Sequence, residues 1–472
     1  MYNAYVTTIK NVRKHPNADR LQLGECFGNT VCINLDYTDG QLGVYFPTDG
    51  QLSVEFAEAN NLLRKKDADG NNIGGYMDPG KRNVTSIRLR GEKSDGLFLP
   101  LTCLESFGDT SALKVGDTIT VFNGHEICTK YIPRRNHSNR SEGNRTRKKK
   151  VDVAPLFMEH ADTEQLAYNL SAFKPGDEIE ITLKMHGTSQ RTGHLPVFTK
   201  YRRTLLDKIF RREGTPVYDW GYVSGTRRTV LENYEGGYYG SNEFREQHSK
   251  FFEGKLWKGE EVFYEVVGFT HTGTPIMATA NNKKINDKEF VKLYGETTTF
   301  SYGCEPDGKR VEPVVDEDKG HGVAMVDVPQ SDIYVYRMTM TNEDGNVVEY
   351  TPDFMRYRCE QMGVKTVPVF AKVYVKDDAV ISHNIDGTCS GGNIPESWTI
   401  GDSVKNIAEQ FYDGPDPVGK THVREGVVVR ILNRPKFTAY KHKNFSFKVL
   451  EGIIKDTADA PDMEEAEEAT NE

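Results

Sequence analysis

Short runs of alternating apolar and polar residues, cut by glycine, aspartate and asparagine, recur along the chain and constrain it to a β-rich fold. Leu42-Gly43-Val44-Tyr45-Phe46 and Thr118-Ile119-Thr120-Val121-Phe122 are examples near the start. A period of two sends successive side chains to opposite faces of a sheet. Residues 1 to about 129 keep this pattern, which predicts a small β-barrel. From about residue 153 the pattern mixes: 178–185, 261–268, 333–340 and 426–432 read as strands, 242–252 and 353–362 as helices. This irregular succession predicts an α+β domain rather than a doubly wound sheet. Asp162-Thr163-Glu164-Gln165, an acid with Gln three residues on, predicts a helix start.

With 472 residues, 37% of them apolar and 27% charged, the chain can bury the cores of two or three domains. No stretch approaches the roughly 20 apolar residues of a membrane span, and the first residues have no basic start or long apolar run, so a soluble, cytoplasmic protein without a membrane partner is expected. Seven scattered cysteines form no CxxC and no Cys/His cluster, which predicts reduced thiols and no zinc site. The net charge of -9 is concentrated in the tail 456–472, low in apolar residues and expected to be disordered. Against it stands a basic stretch: Lys130, Arg134, Arg135, Arg140, Arg145, Arg147 and Lys148 to Lys150. That stretch can neutralise phosphates or serve as a solvated linker; no aromatic residue between Asn136 and Lys150 offers a stacking surface. No protein partner is inferable.

The chemistry centres on Lys184-Met185-His186-Gly187-Thr188-Ser189. On the strand Ile181-Thr182-Leu183-Lys184, alternation puts Lys184 on the face opposite Ile181 and Leu183, and Gly187 ends the strand in a turn. An amine attacks phosphorus only when unprotonated, a state that burial and nearby cations favour. Alone, Lys-x-x-Gly is common and usually marks a surface lysine. Four further elements follow it in order. Ser224-Gly225-Thr226-Arg227-Arg228 is a charged loop whose Arg227 could meet a phosphate. Glu265, in Val262-Phe263-Tyr264-Glu265-Val266-Val267-Gly268, is an acid in an apolar strand that needs a partner or an edge reaching solvent. Tyr334-Val335-Tyr336-Arg337 puts both tyrosines on one strand face, where core packing is the commoner role. Last come Glu425, in Arg424-Glu425-Gly426-Val427, and the pair Lys441 and Lys443, two apart and thus aimed at one phosphate cluster. The Glu425 carboxylate is a hard oxygen ligand that suits Mg2+ rather than zinc.

Taken in order, these five elements resemble the RNA ligases of the covalent nucleotidyltransferase superfamily. The likeness is greatest to the nick-sealing subgroup in which an OB domain precedes the catalytic domain. His15-Pro16-Asn17-Ala18-Asp19-Arg20-Leu21 and Arg88-Leu89-Arg90-Gly91-Glu92-Lys93-Ser94-Asp95-Gly96 resemble stretches of the tRNA-binding type of OB domain, although Pro16, Asn17 and Gly91 also suit plain turns. The resemblance implies an all-β OB barrel over 1–125 that binds nucleic acid, a basic flexible linker over 126–152, an α+β nucleotidyltransferase domain on antiparallel sheets over 153–455, and an acidic tail over 456–472. It implies Lys184 as the adenylylated nucleophile and Glu425 as the metal ligand, with Mg2+ or Mn2+. His186, Gly187, Arg227, Glu265, Lys441 and Lys443 would hold the nucleotide, Glu265 at the ribose, and Tyr334 or Tyr336 would lie against adenine. The implied reaction uses ATP to join RNA 3'-hydroxyl and 5'-phosphate ends through lysyl-AMP and RNA-adenylate, on a nicked duplex. The chain departs from the pattern of these ligases at Thr182 and Leu183, where an acid that contacts the adenine amino group often precedes the lysine.

Two rivals stay open: a non-catalytic RNA-binding protein with a decayed core, and a capping-type enzyme that transfers GMP. Gly414-Pro415-Asp416-Pro417-Val418-Gly419-Lys420-Thr421 matches the P-loop pattern, but lacks the strand before and helix after that a P-loop needs. Asp67-Ala68-Asp69-Gly70-Asn71 reads as a hairpin tip rather than a calcium loop.

Overall fold

Where the sequence alternates, the backbone is extended and pairs with segments far along the chain. The computed structural model describes residues 2–48, 50–66, 72–90, 92–131, 152–158, 160, 163–210, 214–227, 229–231, 234, 243–285, 287–316 and 320–451. The chain divides into two units, Met1–Ser141 with Asn281–Leu293 and Lys448–Glu472, and Glu142–Ala280 with Tyr294–Phe447. The basic cluster from Arg134 to Lys150, the acidic tail and the Asp67–Asn71 run lie outside the described residues.

The first unit is built of short antiparallel ladders. One sheet orders Leu97–Pro100, Leu42–Phe46, Ala4–Thr8 and Thr118–Ile119; a second joins Lys10–Lys14, Leu21–Cys26 and Asn29–Asn34. The first of these packs onto a core of Val6, Val44, Phe46, Phe56, Leu104 and Ile127. Among the described residues these ladders form a β-rich unit of several sheets, and no closed barrel of the expected OB type is found. The run read as a single strand at 118–122 splits at Thr120 into Thr118–Ile119 and Val121–Phe122. The Thr120 carbonyl turns away to accept the backbone N–H groups of Ile127 and Cys128. The two OB-like stretches do meet. Buried His15 contacts the Leu89 carbonyl through Nε2 at 3.0 Å and receives the Asn17 backbone N–H on Nδ1, while Asn17 Nδ2 donates to the Arg90 carbonyl. His15 and Asn17 thus tie the two stretches together.

The second unit is dominated by two large sheets. A seven-stranded sheet runs in the order Glu164–Gln165, Thr438–Lys443, Gly426–Ile431, Glu178–Leu183, Val369–Val375, Ala379–Asn384, Cys389–Asn393. A six-stranded sheet is centred on Thr215–Gly225, Thr188–Arg202, Glu260–Gly268 and Ser331–Thr341. Pairing is antiparallel except for Glu164–Gln165 against Thr438–Lys443 and Lys365–Thr366 against Ser331–Thr341, which agrees with the expected α+β class. The helix expected to start at Asp162 does not form: Asp162 is outside the described residues, Glu164–Gln165 is a strand, and only a 3-10 turn, Leu166–Tyr168, follows. Pairing of Glu164 and Gln165 with Tyr440 and Lys441 overrides the local capping signal.

The helices Glu243–Phe251 and Pro352–Met362 form where expected. The second has Thr351 accepting the Phe354 N–H at its start, Pro352 in its first turn and left-handed Gly363 at its end. They pack Phe244, Met355, Cys359 and Met362 against Val262, Tyr264, Val266, Ile333, Val335 and Met338, leaving the other face of the six-stranded sheet for the site. All seven cysteines are free thiols. Among the described residues no helix is long and apolar enough to cross a membrane.

His248, buried on the first of these helices with Nε2 2.9 Å from the Ser331 hydroxyl, has its pKa lowered to about 4. Burial is the main cause; Asp332 opposes it and Arg245 adds to it. Between about pH 6.5 and pH 4 the unfolded chain takes up a proton that the folded chain does not, so stability present above pH 6.5 falls as the pH falls. Urea unfolding at pH 7.5 and pH 5 should show a smaller drop for His248→Gln than for the parent. Equal drops would remove His248 from the acid sensitivity.

Candidate active site

Lys184 to Gly187 are the crossover between the two sheets. Glu178–Leu183 ends in one sheet and Thr188–Arg202 begins in the other, so the residues between them must bridge. Lys184 lies just past the strand end, with its backbone N–H donating to the Gly426 carbonyl at 3.0 Å. Antiparallel register does the rest: Leu183 faces Val427, and Gly426 faces Lys443. Three adjacent strands therefore bring Lys184, Glu425 and Lys443 to one end of the sheet.

Two glycines permit the close approach. A Cβ at Gly187 would meet the Val266 carbonyl oxygen at 2.4 Å and Glu265 Cγ at 2.8 Å. Gly426 has φ +146 and a Cβ there would meet the His442 carbonyl oxygen at 2.1 Å. Gly187→Ala should therefore push the two sheets' strands apart, lower stability by about 1–3 kcal/mol and reduce any chemistry at Lys184. A denaturation midpoint equal to that of the parent would show that the crossover has slack.

Glu425 is 1% exposed, and two ammonium groups share one of its oxygens: Lys184 Nζ lies 2.5 Å and Lys443 Nζ 2.9 Å from Oε1. His186 Nδ1 is 3.7 Å from Oε2. Burial by itself raises the pKa of this carboxyl, but Lys184, Lys443 and His186 outweigh it and hold Glu425 well below the usual carboxylate range. His186 is fixed in turn. The Tyr302 hydroxyl accepts its backbone N–H at 2.7 Å, and its ring meets Phe300 and Phe447 edge-on at 4.6 and 4.7 Å.

The facing wall comes from the six-stranded sheet. Ser189, Glu265 and Tyr334 are register partners on three neighbouring strands. Ile333, Val335 and Met338 turn into the core, and a bulge opposite Phe263/Tyr264 inserts Tyr336 on the other side. The Tyr336 hydroxyl lies 2.9 Å from Ser189 Oγ. The Glu265 pKa is pushed up to about 7: burial raises it, Lys184 lowers it, Glu425 raises it further, and Arg227 and Arg245 lower it. Tyr334 is buried with its hydroxyl donating to Asp332 Oδ2 at 3.3 Å, and Tyr336 is half-buried. Arg227 is exposed on the loop after Thr215–Gly225, within electrostatic reach of Glu265 and Tyr336. Arg228 lies outside the described residues. Lys441 is one pleat from Lys443 on the same strand face, opposite Val428; of the two, it is Lys443 that pairs with Glu425.

The structure thus gathers Lys184, His186, Gly187, Glu265, Glu425 and Lys443, with Tyr334, Tyr336, Arg227 and Lys441 around them. Sequence reasoning missed Tyr302 and Phe300, which support His186 from a loop carrying no motif. It also missed His160, whose N–H donates to the Arg227 carbonyl at 3.0 Å, and Arg245, which donates to the Ser189 carbonyl at 3.2 Å. The P-loop look-alike is a self-contained loop: the Asp416 carboxylate accepts the N–H groups of Gly419 and Lys420, and no helix follows.

A divalent cation fits one oxygen of this site. Glu425 Oε2 is buried with no hydrogen-bond donor, whereas Oε1 is taken by both lysines. A hard carboxylate oxygen left unpaired in a buried position is a ready cation ligand.

Two large sheets joined at a lysine-bearing crossover, in a chain that also carries a β-rich N-terminal unit, form a fold shared with solved RNA ligases. The solved structures sharing it include a Naegleria gruberi RNA ligase mutant with ATP and Mn, 17% identical with a TM-score of 0.51, the match covering 96% of this chain and 98% of that one. The same ligase with PPi is 16% identical with a TM-score of 0.51, covering 94% and 97%. A further mutant with AMP and Mn is 16% identical with a TM-score of 0.51, covering 95% and 98%. No protein-family model and no curated protein matches the sequence.

Proposed function

We propose that the chain is an ATP-dependent RNA ligase that seals 3'-hydroxyl and 5'-phosphate ends, with nicks as its substrate. The observation carrying this reading is the convergence of Lys184 and Lys443 on Glu425 Oε1, facing Glu265 and Tyr336 across the sheet crossover. A similar fold in a ligase solved with ATP, AMP and Mn supports it.

In this reading the unprotonated Lys184 amine attacks the α-phosphorus of ATP. The N–P bond forms as the P–O bond to the β-phosphate breaks, pyrophosphate leaves, and the amine's proton goes to solvent. Lys443, with Lys441 one pleat away, stabilises the charge on the phosphoryl oxygens. Glu265 holds the ribose, Tyr334 or Tyr336 lines the adenine, and Arg227 meets the phosphate of the RNA end. Glu425 Oε2 would hold a divalent cation, which supplies positive charge that favours the neutral amine and neutralises phosphate oxygens. AMP then passes to the RNA 5'-phosphate, and the 3'-hydroxyl displaces it to form the phosphodiester. The N-terminal unit grips RNA in the manner of an OB domain.

Incubation with α-labelled ATP or GTP and Mg2+ or Mn2+, followed by denaturing electrophoresis, tests the reading. Label from ATP is expected. Absence of label from either nucleotide returns the protein to the non-catalytic RNA binders, and label from GTP alone makes it a capping-type enzyme. Nicked duplexes with RNA or DNA at each end then define the substrate.

A further inference from the structure

We propose that His186 is a direct nitrogen ligand of the divalent cation, and that it makes this site prefer Mn2+ or Co2+ over Mg2+. The proposal rests on the ligase reading and deepens it at the same site.

The two carboxylate oxygens of Glu425 have different surroundings. Oε1 carries both ammonium groups, at 2.5 and 2.9 Å. Oε2 is buried and has no hydrogen-bond donor. His186 Nδ1 lies 3.7 Å from Oε2, too long for a hydrogen bond. Two donors each about 2.1 Å from one ion, subtending 90 to 110°, lie roughly 3.0 to 3.4 Å apart. The observed gap needs to close by only a few tenths of an ångström. The imidazole is already held in position to do so. Its backbone N–H is fixed by Tyr302, and the edge contacts from Phe300 and Phe447 restrict rotation of the ring. It is a short step along the chain from the nucleophile, so a cation between Nδ1 and Oε2 sits beside Lys184 without displacing Lys443 from Oε1.

The donor set decides the metal. Mg2+ is satisfied by oxygen ligands and water in octahedral array, whereas an imidazole nitrogen favours later divalent ions, with affinity rising from Mn2+ to Co2+. A carboxylate at position 186 would give an all-oxygen pair and restore Mg2+.

The test is a binding measurement on the full-length protein without nucleotide. Pulsed electron paramagnetic resonance of bound Mn2+ should show nitrogen modulation that changes on selective 15N-histidine labelling and disappears in His186→Asp. In parallel titrations, His186→Asp should lose about tenfold or more in Mn2+ affinity while Mg2+ affinity holds or improves. Lys184→Met, which removes a positive charge beside the site, should bind Mn2+ more tightly than the parent. His186→Asn, checked with the other variants by circular dichroism, guards against misfolding and should also lose the histidine signal. Mn2+ that binds without histidine coupling, or fails to bind at all, overturns the inference. Failure of ATP labelling with the nitrogen signal intact would instead sink the ligase reading and leave the metal site standing.

Discussion

Lys184→Ala is expected to abolish labelling by ATP and sealing of ordinary nicks, by more than about 10^4-fold, because it removes the amine that forms the phosphoramidate in the ligase reading. The same variant should still close a nick whose 5' end is already adenylylated, since that step needs the site but not the nucleophile. Glu425 keeps Lys443 and His186 as neighbours after the change, so the fold should persist. Covalent label in the variant would show that another residue is the nucleophile.

The largest stability effect is expected at the buried pair of Glu260 and Arg358. Glu260 is 0% and Arg358 3% exposed. Glu260 Oε1 accepts Arg358 Nε at 2.8 Å and the Tyr350 hydroxyl at 3.0 Å; Oε2 accepts Arg358 Nη2 at 2.8 Å and the Trp257 N–H at 2.8 Å. The guanidinium also lies 3.7 Å over the Trp257 ring. Removing the carboxylate strands a charge that water cannot reach, and Glu260→Ala should cost about 3–5 kcal/mol in urea unfolding. Replacing both residues by methionine should recover much of that loss, because burying an ion pair repays little more than burying two apolar groups. A loss below about 1 kcal/mol for the single variant would mean that solvent enters the pair.

Strands and helices were legible where local and tertiary preferences agree. Ser331–Thr341 alternates along most of its length, and Pro352–Met362 carries its own start and stop residues. They disagree at Glu164 and Gln165, where a good helix-start pattern is spent on a strand because Tyr440 and Lys441 offer backbone partners. They disagree again at Thr120, whose carbonyl breaks a run that alternates well. Of the candidate site, the ionisable residues were visible because their chemistry is carried by residue type and order. The aromatic support was not: Phe300 and Tyr302 sit in a segment with no periodic pattern, and only the folded chain puts them against His186.

By itself the sequence determined which groups are available: an amine at 184 with a glycine three residues on, carboxylates at 265 and 425, and cations at 441 and 443. Tertiary structure decided which atoms meet. The two lysines share Oε1 of Glu425 while Oε2 faces His186, and Lys443 rather than Lys441 makes the contact. The physical reason is register. Side-chain type is a local property, but the pairing of Leu183 with Val427 and of Gly426 with Lys443 is set by the register of neighbouring strands in a seven-stranded sheet. A slip of one residue in either pair would turn the site residues to the opposite face.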